Sequence, residues 1–479
     1  SSEFFLKRLN DPKKKVGFRE IANFYPYISH IFSSLSVAKL QVDKSEVYFY
    51  DREKQRFSSP EIEVFASSFR VDSLTQLDST KFFHADDLVV KVGQSRLLFP
   101  DDSHILEIGD FSFNPIKGNY IVENVVVTPY TPSGWSAEGK IRQMKMTGFY
   151  LKEFLIEGEW LADSVMLINP DIRINSYQRR KDLKKASLGK VEVKNLDIYR
   201  GNLFVNLRDT SSLQLSDYSI GMTGVGYQIG RTTNWHIDDA STTIAGLKIA
   251  LPGKVNMDVK DIKASLSDST FTTLDFSYTL PPGKGLARLV TPGIDISGID
   301  ILAVIKGDHI KWNRATFGGA SIEWTVAAGS SEGKGIEAAI NKVKTRILGG
   351  YDYVKGNEIH FPLRLLTTRQ DTISKRISNI TFELGDIYFD KQSTVANSPI
   401  GFARDISMET NQQDFSWLDG FDTFTLNRLL LSTADRKISL LDFRVATDKE
   451  GKFIAMAFAP QLDISGLDLK ELLLSGNFS

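Results

Sequence analysis

Two His-x-Asp-Asp strings contain the residue types in this chain that best fit metal chemistry. They are His84, Asp86 and Asp87 in the first string, and His236, Asp238 and Asp239 in the second. Imidazole and carboxylate groups together can ligate a metal ion. The strings occupy equivalent places in a sequence repeat, however, and the third copy, residues 402–405, has lost the histidine and one aspartate. We therefore predict that these residues recur because they form turns at equivalent positions of the repeat, and that they bind no metal ion.

Other signatures of catalysis are weak. The chain has no cysteine, which excludes thiol catalysis, Cys-ligated zinc and disulfides. The glycine-rich segment 329–335, GSSEGKG, lacks the spacing of a phosphate loop and the Ser or Thr that would follow its lysine. A Ser-His-Asp triad is a spatial arrangement that spacing cannot test, but no nucleophile elbow is present. We expect a protein that is not an enzyme and that needs no cofactor.

Composition narrows the set of partners. The 479 residues carry 58 Lys+Arg against 59 Asp+Glu, a net charge of −1. Nucleic acid binding depends on a basic surface, so we expect no nucleic acid partner. No run of 18 apolar residues occurs, and hence no helical membrane span is predicted.

A short motif recurs three times and indicates a repeat protein. The segments 144–155 (MKMTGFYLKEFL), 294–302 (IDISGIDIL) and 462–469 (LDISGLDL) align on Gly148, Gly298 and Gly466. Apolar and polar residues alternate on each side of the glycine, which predicts a strand with one apolar face and one polar face. We expect the glycine to mark a kink or bulge where the inward face shifts phase.

The repeat predicts three units of about 150 residues each. Their boundaries are 1–176, 177–330 and 331–479, with a helix or charged linker at the start of each unit. Helices are predicted over 18–35 and 335–348, and a short helix or loop over 177–185. Everything else has the alternation, β-branched residues and turns of short strands.

This pattern predicts a mostly β fold: an extended, curved antiparallel sheet that grows by five or six strands per repeat. An apolar sheet face must be covered, and a few short helices are too few for that. Either the sheet curls into a trough filled by an apolar ligand, or the repeats are separate β-sandwiches.

Apolar residues of the alternating strands are the candidates for lining such a groove. Acyl chains need only a continuous apolar surface, so no fixed polar motif is expected. The candidate residues are Val42, Val47, Phe49, Leu106, Ile108, Met144, Met146, Val191, Val193, Ile294, Ile296, Leu462 and Ile464.

Two runs carry a family resemblance, FYPYISHIFSSLSVAKLQVDKSEVYF (24–49) and LDISGLDLKELLLSG (462–476). A unit that opens and closes in this way resembles the AsmA-like, repeating β-groove (bridge-like lipid transfer) superfamily, from about Phe18 to the end. The resemblance implies a taco-shaped β-groove whose apolar inner face carries phospholipid or another acyl lipid between membranes. It also implies a place in the periplasm or cell envelope of a Gram-negative bacterium and a role in outer membrane biogenesis.

Full-length members of that superfamily have an N-terminal transmembrane helix, which this sequence lacks. The sequence also opens without an initiator methionine and stops part-way through a strand pattern, so we expect a piece of a longer protein, which the resemblance implies is membrane-anchored. The alternative interpretation is a structural or adhesion protein built of stacked β-sandwich repeats. A β-rich enzyme is a third possibility that no motif supports.

Overall fold

The computed structural model describes most of the chain. The described residues are 3–8, 30–51, 53–72, 85–99, 102–130, 135–150, 159–176, 190–207, 211–228, 234–252, 255–280, 285–325, 344–345, 348–370, 373–393, 402–416, 422–449 and 452–466. The chain forms two compact units, residues 1–246 (unit 1) and 247–479 (unit 2).

Unit 1 is built of strands in its described part. They are β1 (Glu3–Arg8), β2 (Ser34–Asp51), β3 (Lys54–Asp72), β4 (Asp87–Val92), β5 (Ser95–Leu98), β6 (His104–Ile108), β7 (Asp110–Asn114), β8 (Asn119–Pro129), β9 (Trp135–Thr147), β10 (Glu159–Ser176), β11 (Lys190–Asn206), β12 (Ser212–Gln228), β13 (Asn234–His236) and β14 (Asp239–Leu251), which extends past residue 246.

Unit 2 continues with strands and one short helix in its described part. The elements are β15 (Val255–Ser265), β16 (Thr270–Thr273), β17 (Asp275–Thr279), β18 (Gly285–Thr291), β19 (Ile294–Ser297), α1 (Ile301–Lys306), β20 (His309–Phe317), β21 (Ala320–Thr325), β22 (Tyr353–Gln370), β23 (Ile373–Asp390), β24 (Ala403–Ser416), β25 (Asp422–Ser432), β26 (Lys437–Lys449) and β27 (Lys452–Ser465). The mostly β fold class is confirmed.

Most strands of unit 1 pair with strands that are close to them along the chain. In unit 1, β2 pairs with β3, and β3 pairs with both β4 and β5, which form one interrupted strand. The interrupted strand β6–β7 follows, and then come β8, β9 and β10. All of these pairs are antiparallel, as the repeat pattern predicts.

Parallel pairs stand at the start of each repeat, which the sequence analysis did not anticipate. β1 pairs with β2, β10 with β11, and β20 and β21 with β22 in parallel. From β2 to β10 the described chain has seven strand positions, counting β4–β5 and β6–β7 as one each, instead of the five or six expected. Because seven antiparallel positions are an odd number, β10 runs in the same direction as β2. β11 is parallel to β10 and therefore also runs in that direction.

A line of irregularities crosses the strands of each unit, and we call it the crease. In unit 1 its members are left-handed residues or strand breaks: Lys44, Gly93, Gly109, Asn124, Asn169, Arg200 and Asp217. They are neighbours in register. Asn124 of β8 and Asn169 of β10 flank Arg142 of β9, since the pairs on either side of them involve Gln143 and Ile141. Gly109 donates its backbone N–H to the carbonyl of Glu123, next to Asn124.

The same feature recurs in unit 2. Its crease contains Asp261, Leu274, Gly293, Gly318, Asn379, Gln412 and Asp442. Gly318 donates its backbone N–H to Gly293 O, and Leu274 donates to Lys260 O, so the breaks lie side by side across the strands.

Left-handed residues on the crease shift the in–out alternation by one position. In β8, Tyr120 and Val122 are buried before Asn124, and Val125 is buried after it, while Asn124 is exposed. The register between β8 and β9 is the same on both sides of Asn124. The shift therefore keeps the apolar side chains on one face on both sides of the crease.

The three aligned glycines have left-handed backbones, with φ of 60° at Gly148, 66° at Gly298 and 79° at Gly466. Each directly follows the last residue of a strand, β9, β19 or β27. Glycine adopts this conformation without the steric cost that a Cβ imposes. The prediction of a kink or bulge within a strand is wrong, because each glycine ends its strand with a left-handed turn of the backbone.

The expectation that strand alternation continues after the glycine is wrong in the second copy. Residues 301–306, ILAVIK, form helix α1. The Asp300 carboxylate accepts a hydrogen bond from the Ala303 N–H at 3.0 Å, and Gly307 caps the other end with a φ of 75°. An aspartate N-cap and a glycine C-cap are ordinary helix signals, and here they override a pattern that fits a strand.

The predicted linker elements fall mainly outside the described residues. This applies to 177–185, to residues 18–29 of the helix predicted over 18–35, and to most of the helix over 335–348. In the last of these, residues 344, 345 and 348 are helical. Residues 30–33 are described and are not helical, and β2 begins at Ser34, so the predicted helix over 18–35 is wrong at its end. No helix in the described ranges combines the length and hydropathy needed to cross a membrane.

Aromatic side chains cover glycines in the partner strand. In unit 1, Gly201 of β11 pairs with Tyr218 of β12, and a Cβ at Gly201 would lie 2.5 Å from Tyr218 Cζ. The ring thereby shields a backbone that has no side chain of its own.

We predict that Gly201→Ala lowers the free energy of unfolding by about 1–3 kcal/mol, because the methyl group overpacks against the Tyr218 ring. Urea unfolding followed by circular dichroism measures this. Gly221→Ala is the matched control, since its Cβ would be 3.5 Å from its nearest neighbours. Equal losses for the two variants would contradict the assignment of close packing to Gly201.

Candidate functional site: an apolar sheet face

The His-x-Asp-Asp strings have structural roles. Asp87 accepts a hydrogen bond from the Asn114 side-chain amide at 2.6 Å and forms an ion pair with Lys117 at 3.3 Å. The Asn114 hydrogen bond, assisted by Lys117, lowers the pKa of the Asp87 carboxyl group. His84 lies outside the described residues.

In the second string, the side chains fill space above glycines. The His236 ring lies where a side chain on Gly226 would be, and the Asp238 carboxylate lies above Gly224. The backbone N–H of Asp238 donates to Thr223 O, as that of Asp86 does to Ser67 O, so the two copies are equivalent. Among the described side chains, no cluster of three or more His, Asp or Glu could hold a metal ion.

The extended feature of unit 1 is a row of apolar side chains on neighbouring strands. Residues that pair directly in a sheet point to the same face. Successive pairs lead across β2, β3, β4, β7, β8, β9, β10, β11 and β12 through Val42, Val64, Val90, Phe113, Tyr120, Met146, Val165, Leu196 and Met222. Each of these residues is aliphatic or aromatic.

A second row runs beside the first, nearer to the crease. It contains Ser45, Ile62, Val92, Phe111, Val122, Met144, Leu167, Ile198 and Ile220. The part of unit 1 that holds these two rows is called the first wall. Stacked rings strengthen it, with centroids 4.9 Å apart for Phe111 and Phe113 and 5.7 Å apart for Phe113 and Tyr120.

The second wall lies on the other side of the crease. Its row contains Phe49, Phe57, Leu97, Leu106, Val127, Gly139, Ile172, Leu203 and Leu215. All nine residues are partly exposed. Both walls together form the apolar face of unit 1.

The opposite face of the second wall is mainly polar. One residue along from the second-wall row, the paired positions are Tyr48, Ser58, Arg96, Glu107, Val126, Lys140, Asp171 and Asn202. On this face Arg173 pairs with Glu138 at 3.3 Å. The contrast shows that the alternation in the sequence becomes a difference between two sides of one sheet.

Unit 2 has apolar rows of the same kind. One row contains Met257, Tyr278, Leu289, Ile322, Leu366 and Ile377. A second contains Ala264, Phe271, Ile296, Ala315, Ile359, Leu384 and Ile406. A third contains Phe361, Phe382, Met408, Leu431, Ile438 and Ile464.

All thirteen candidate residues lie on these apolar faces. Val42, Met144, Met146, Val191 and Val193 are on the first wall, Phe49 and Leu106 are on the second, and Val47 and Ile108 lie beside the crease. In unit 2, Ile296 and Ile464 are in the rows given above, Ile294 pairs with Phe317, and Leu462 pairs with Leu440. Their role in lipid binding stays a prediction.

The sequence analysis missed the aromatic part of the first wall, Phe111, Phe113, Tyr120, Phe149 and Trp160. Alternation in the segments 111–113 and 120–122 could have identified three of them. Burial raises the pKa of Tyr120 to about 12, so its hydroxyl group stays protonated at neutral pH.

Comparisons with known proteins assign no family. No family model matches the sequence, and neither a curated protein nor a solved structure is similar enough to match.

A partly exposed apolar face should bind an apolar fluorescent dye. We predict that Leu167→Asp weakens dye binding about tenfold, since it removes one leucine contact worth at least about 1.5 kcal/mol and places a charge on the face. Fluorescence titration of the folded chain measures this.

Met166→Asp is the matched control, because residue 166 is adjacent in β10, points to the opposite face and pairs with Lys145. Circular dichroism verifies that both variants fold. Equal dye binding by the two would show that the dye does not sit on the first wall.

Proposed function

We propose that this chain is a non-enzymatic lipid-binding segment that holds acyl chains on the apolar faces of its sheet. The observation that carries the proposal is the unbroken apolar register across nine strands of unit 1, free of Lys, Arg, Asp and Glu in all three rows. A hydrocarbon chain needs contact with apolar surface and no hydrogen-bond partner, which is what these rows offer.

The dimensions of the first wall suit such a ligand. Eight steps between strands, each about 4.8 Å, give a row about 38 Å long. The acyl layer of one bilayer leaflet is about 15 Å thick, half of the hydrocarbon core. Each methylene transferred from water contributes about 0.8 kcal/mol, so one acyl chain along the row would bind favourably.

Partial exposure supports a ligand rather than a second sheet as the cover. A sandwich core buries the inward residues of both sheets. Here every residue in the second-wall row is partly exposed, as are Val42, Val64, Val90 and Phe113 of the first wall. Exposed apolar patches of this size usually mark binding surfaces.

Two finer parts of the proposal rest on the resemblance of the opening and closing runs to the AsmA-like, repeating β-groove superfamily. They are that the ligand is a phospholipid and that the protein works in lipid transport between the membranes of a bacterial envelope.

The direct experiment is lipid analysis of the purified chain. Organic extraction and native mass spectrometry should find bound acyl lipid, and a lipid-free chain should take up a fluorescent phospholipid. We expect the double variant Ile296→Asp with Ile464→Asp to lose most of the phospholipid uptake by unit 2. The reason is that the variant places two charges in the apolar rows of that unit.

The matched control is Ser297→Asp with Ser465→Asp. These residues are adjacent in sequence, point to the opposite face and pair with Arg314 and Lys437. A clean absence of lipid, or equal uptake by both double variants with intact β-sheet circular dichroism, would refute the proposal.

Photo-crosslinking gives a second, local prediction. With p-benzoylphenylalanine in place of Phe113, irradiation should join lipid covalently to the first wall. The control position is Phe65, which is 37% exposed, points to the opposite face and has Lys39 Nζ 5.3 Å from its ring centroid. Crosslinks of equal yield at both positions would show non-specific adsorption.

A further inference from the structure

The crease of unit 1 is a place where backbone pairing is interrupted in strand after strand. The register between β2 and β3 shifts between Val42 and Val47, and that between β11 and β12 shifts between Ile198 and Leu203. Between these pairs, the strands break completely at Gly93 and Gly109. Bulges and breaks leave ladder positions unpaired, so a bend here costs fewer hydrogen bonds than a bend elsewhere in the sheet.

Small side chains occupy the buried side of the crease in the first strands. Ser45 is 3%, Ser59 is 0% and Ser95 is 7% exposed. Ser59 Oγ donates to Glu61 O and Ser95 Oγ donates to Gly93 O, both within their own strand segment. These hydroxyl groups make no bond between the walls. Interdigitated large side chains, which would fix the angle between two packed surfaces, are missing at these described positions.

The two walls differ in how firmly they are packed. Both hydrophobic clusters found in the described part of unit 1 belong to the first wall. One is built around Tyr120, Met146 and Val165, and the other around Ala66 and Leu88. None of the nine residues in the second-wall row is buried or belongs to a cluster. Segments with few buried apolar contacts have low local stability.

We propose that the second wall of unit 1 turns about the crease and closes against bound acyl chains, with the first wall as the fixed side. This inference rests on the proposed function, since the acyl chain supplies the apolar contacts that the second wall lacks. A ligand shifts such an equilibrium only by binding the closed form better, and the closed form offers it contacts on two sides. Left-handed residues such as Asn124 and Asp217 mark the backbone positions that would absorb the rotation.

Spin labels on the polar face test the motion, and the absence of native cysteine makes labelling selective. The reporting pair is Asn119→Cys with Thr128→Cys, two exposed residues of β8 on opposite sides of Asn124. The control pair is Ser112→Cys with Asp197→Cys, which lie four strands apart on the first wall alone.

Double electron–electron resonance should show a broad distance distribution for the reporting pair in the delipidated full chain. Loading with phosphatidylcholine should shorten the mean distance by several ångströms and narrow the distribution, while the control pair stays unchanged. Hydrogen exchange should fall several-fold in the second-wall segments of β8 and β10 under the same conditions.

The outcomes separate the two proposals. If the labelled chain takes up lipid but the reporting distance and hydrogen exchange stay the same, the hinge is refuted and lipid binding stands. An equal change in both pairs refutes the fixed first wall. If no lipid is taken up, the proposed function fails first.

Discussion

An apolar sheet face in water is the constraint on which the rest of this structure depends. Strands of 13–19 residues, such as β3 and β10, are long enough to bend, and a bend that shifts the in–out alternation by one position would turn the apolar side chains to the other face. The left-handed residues of the crease coincide with a phase change in the sequence pattern. Val122 and Val125 flank Asn124 in β8, and Leu215 and Tyr218 flank Asp217 in β12, with the apolar residues on one face throughout. Because left-handed residues, register shifts and strand breaks lie at matching positions in neighbouring strands, the irregularities form a line.

The two walls differ in how their apolar side chains are packed. The first wall packs stacked aromatic rings and methionines into buried clusters, which stabilise it without a second sheet. The second wall has apolar side chains of similar number but no buried cluster among its described residues. Its ion pairs, such as that of Arg173 with Glu138, lie at exposed positions and contribute little to stability. The function we propose uses this difference, since a hydrophobic ligand would supply the missing contacts.

The His-x-Asp-Asp strings illustrate how repeated sequence can resemble a metal-binding motif. In the second string, His236 and Asp238 fill the space above Gly226 and Gly224. In the first string, Asp87 accepts a hydrogen bond from Asn114 and forms an ion pair with Lys117. The shared residue types therefore do not require a shared ligand.

The sequence by itself determined the mostly β class and the apolar or polar face of most strand residues, because alternation is a local property of an extended chain. It also marked the left-handed positions at Gly148, Gly298 and Gly466, where a Cβ would be strained. It determined α1 as well, through Asp300 and Gly307, although strand alternation masked that signal. Only the tertiary structure decided the parallel pairs, such as β10 with β11, because they depend on where the chain returns after an odd number of strands. It alone aligned the bulges into a crease, since register between strands distant in sequence is set by pairing and not by local residue preference.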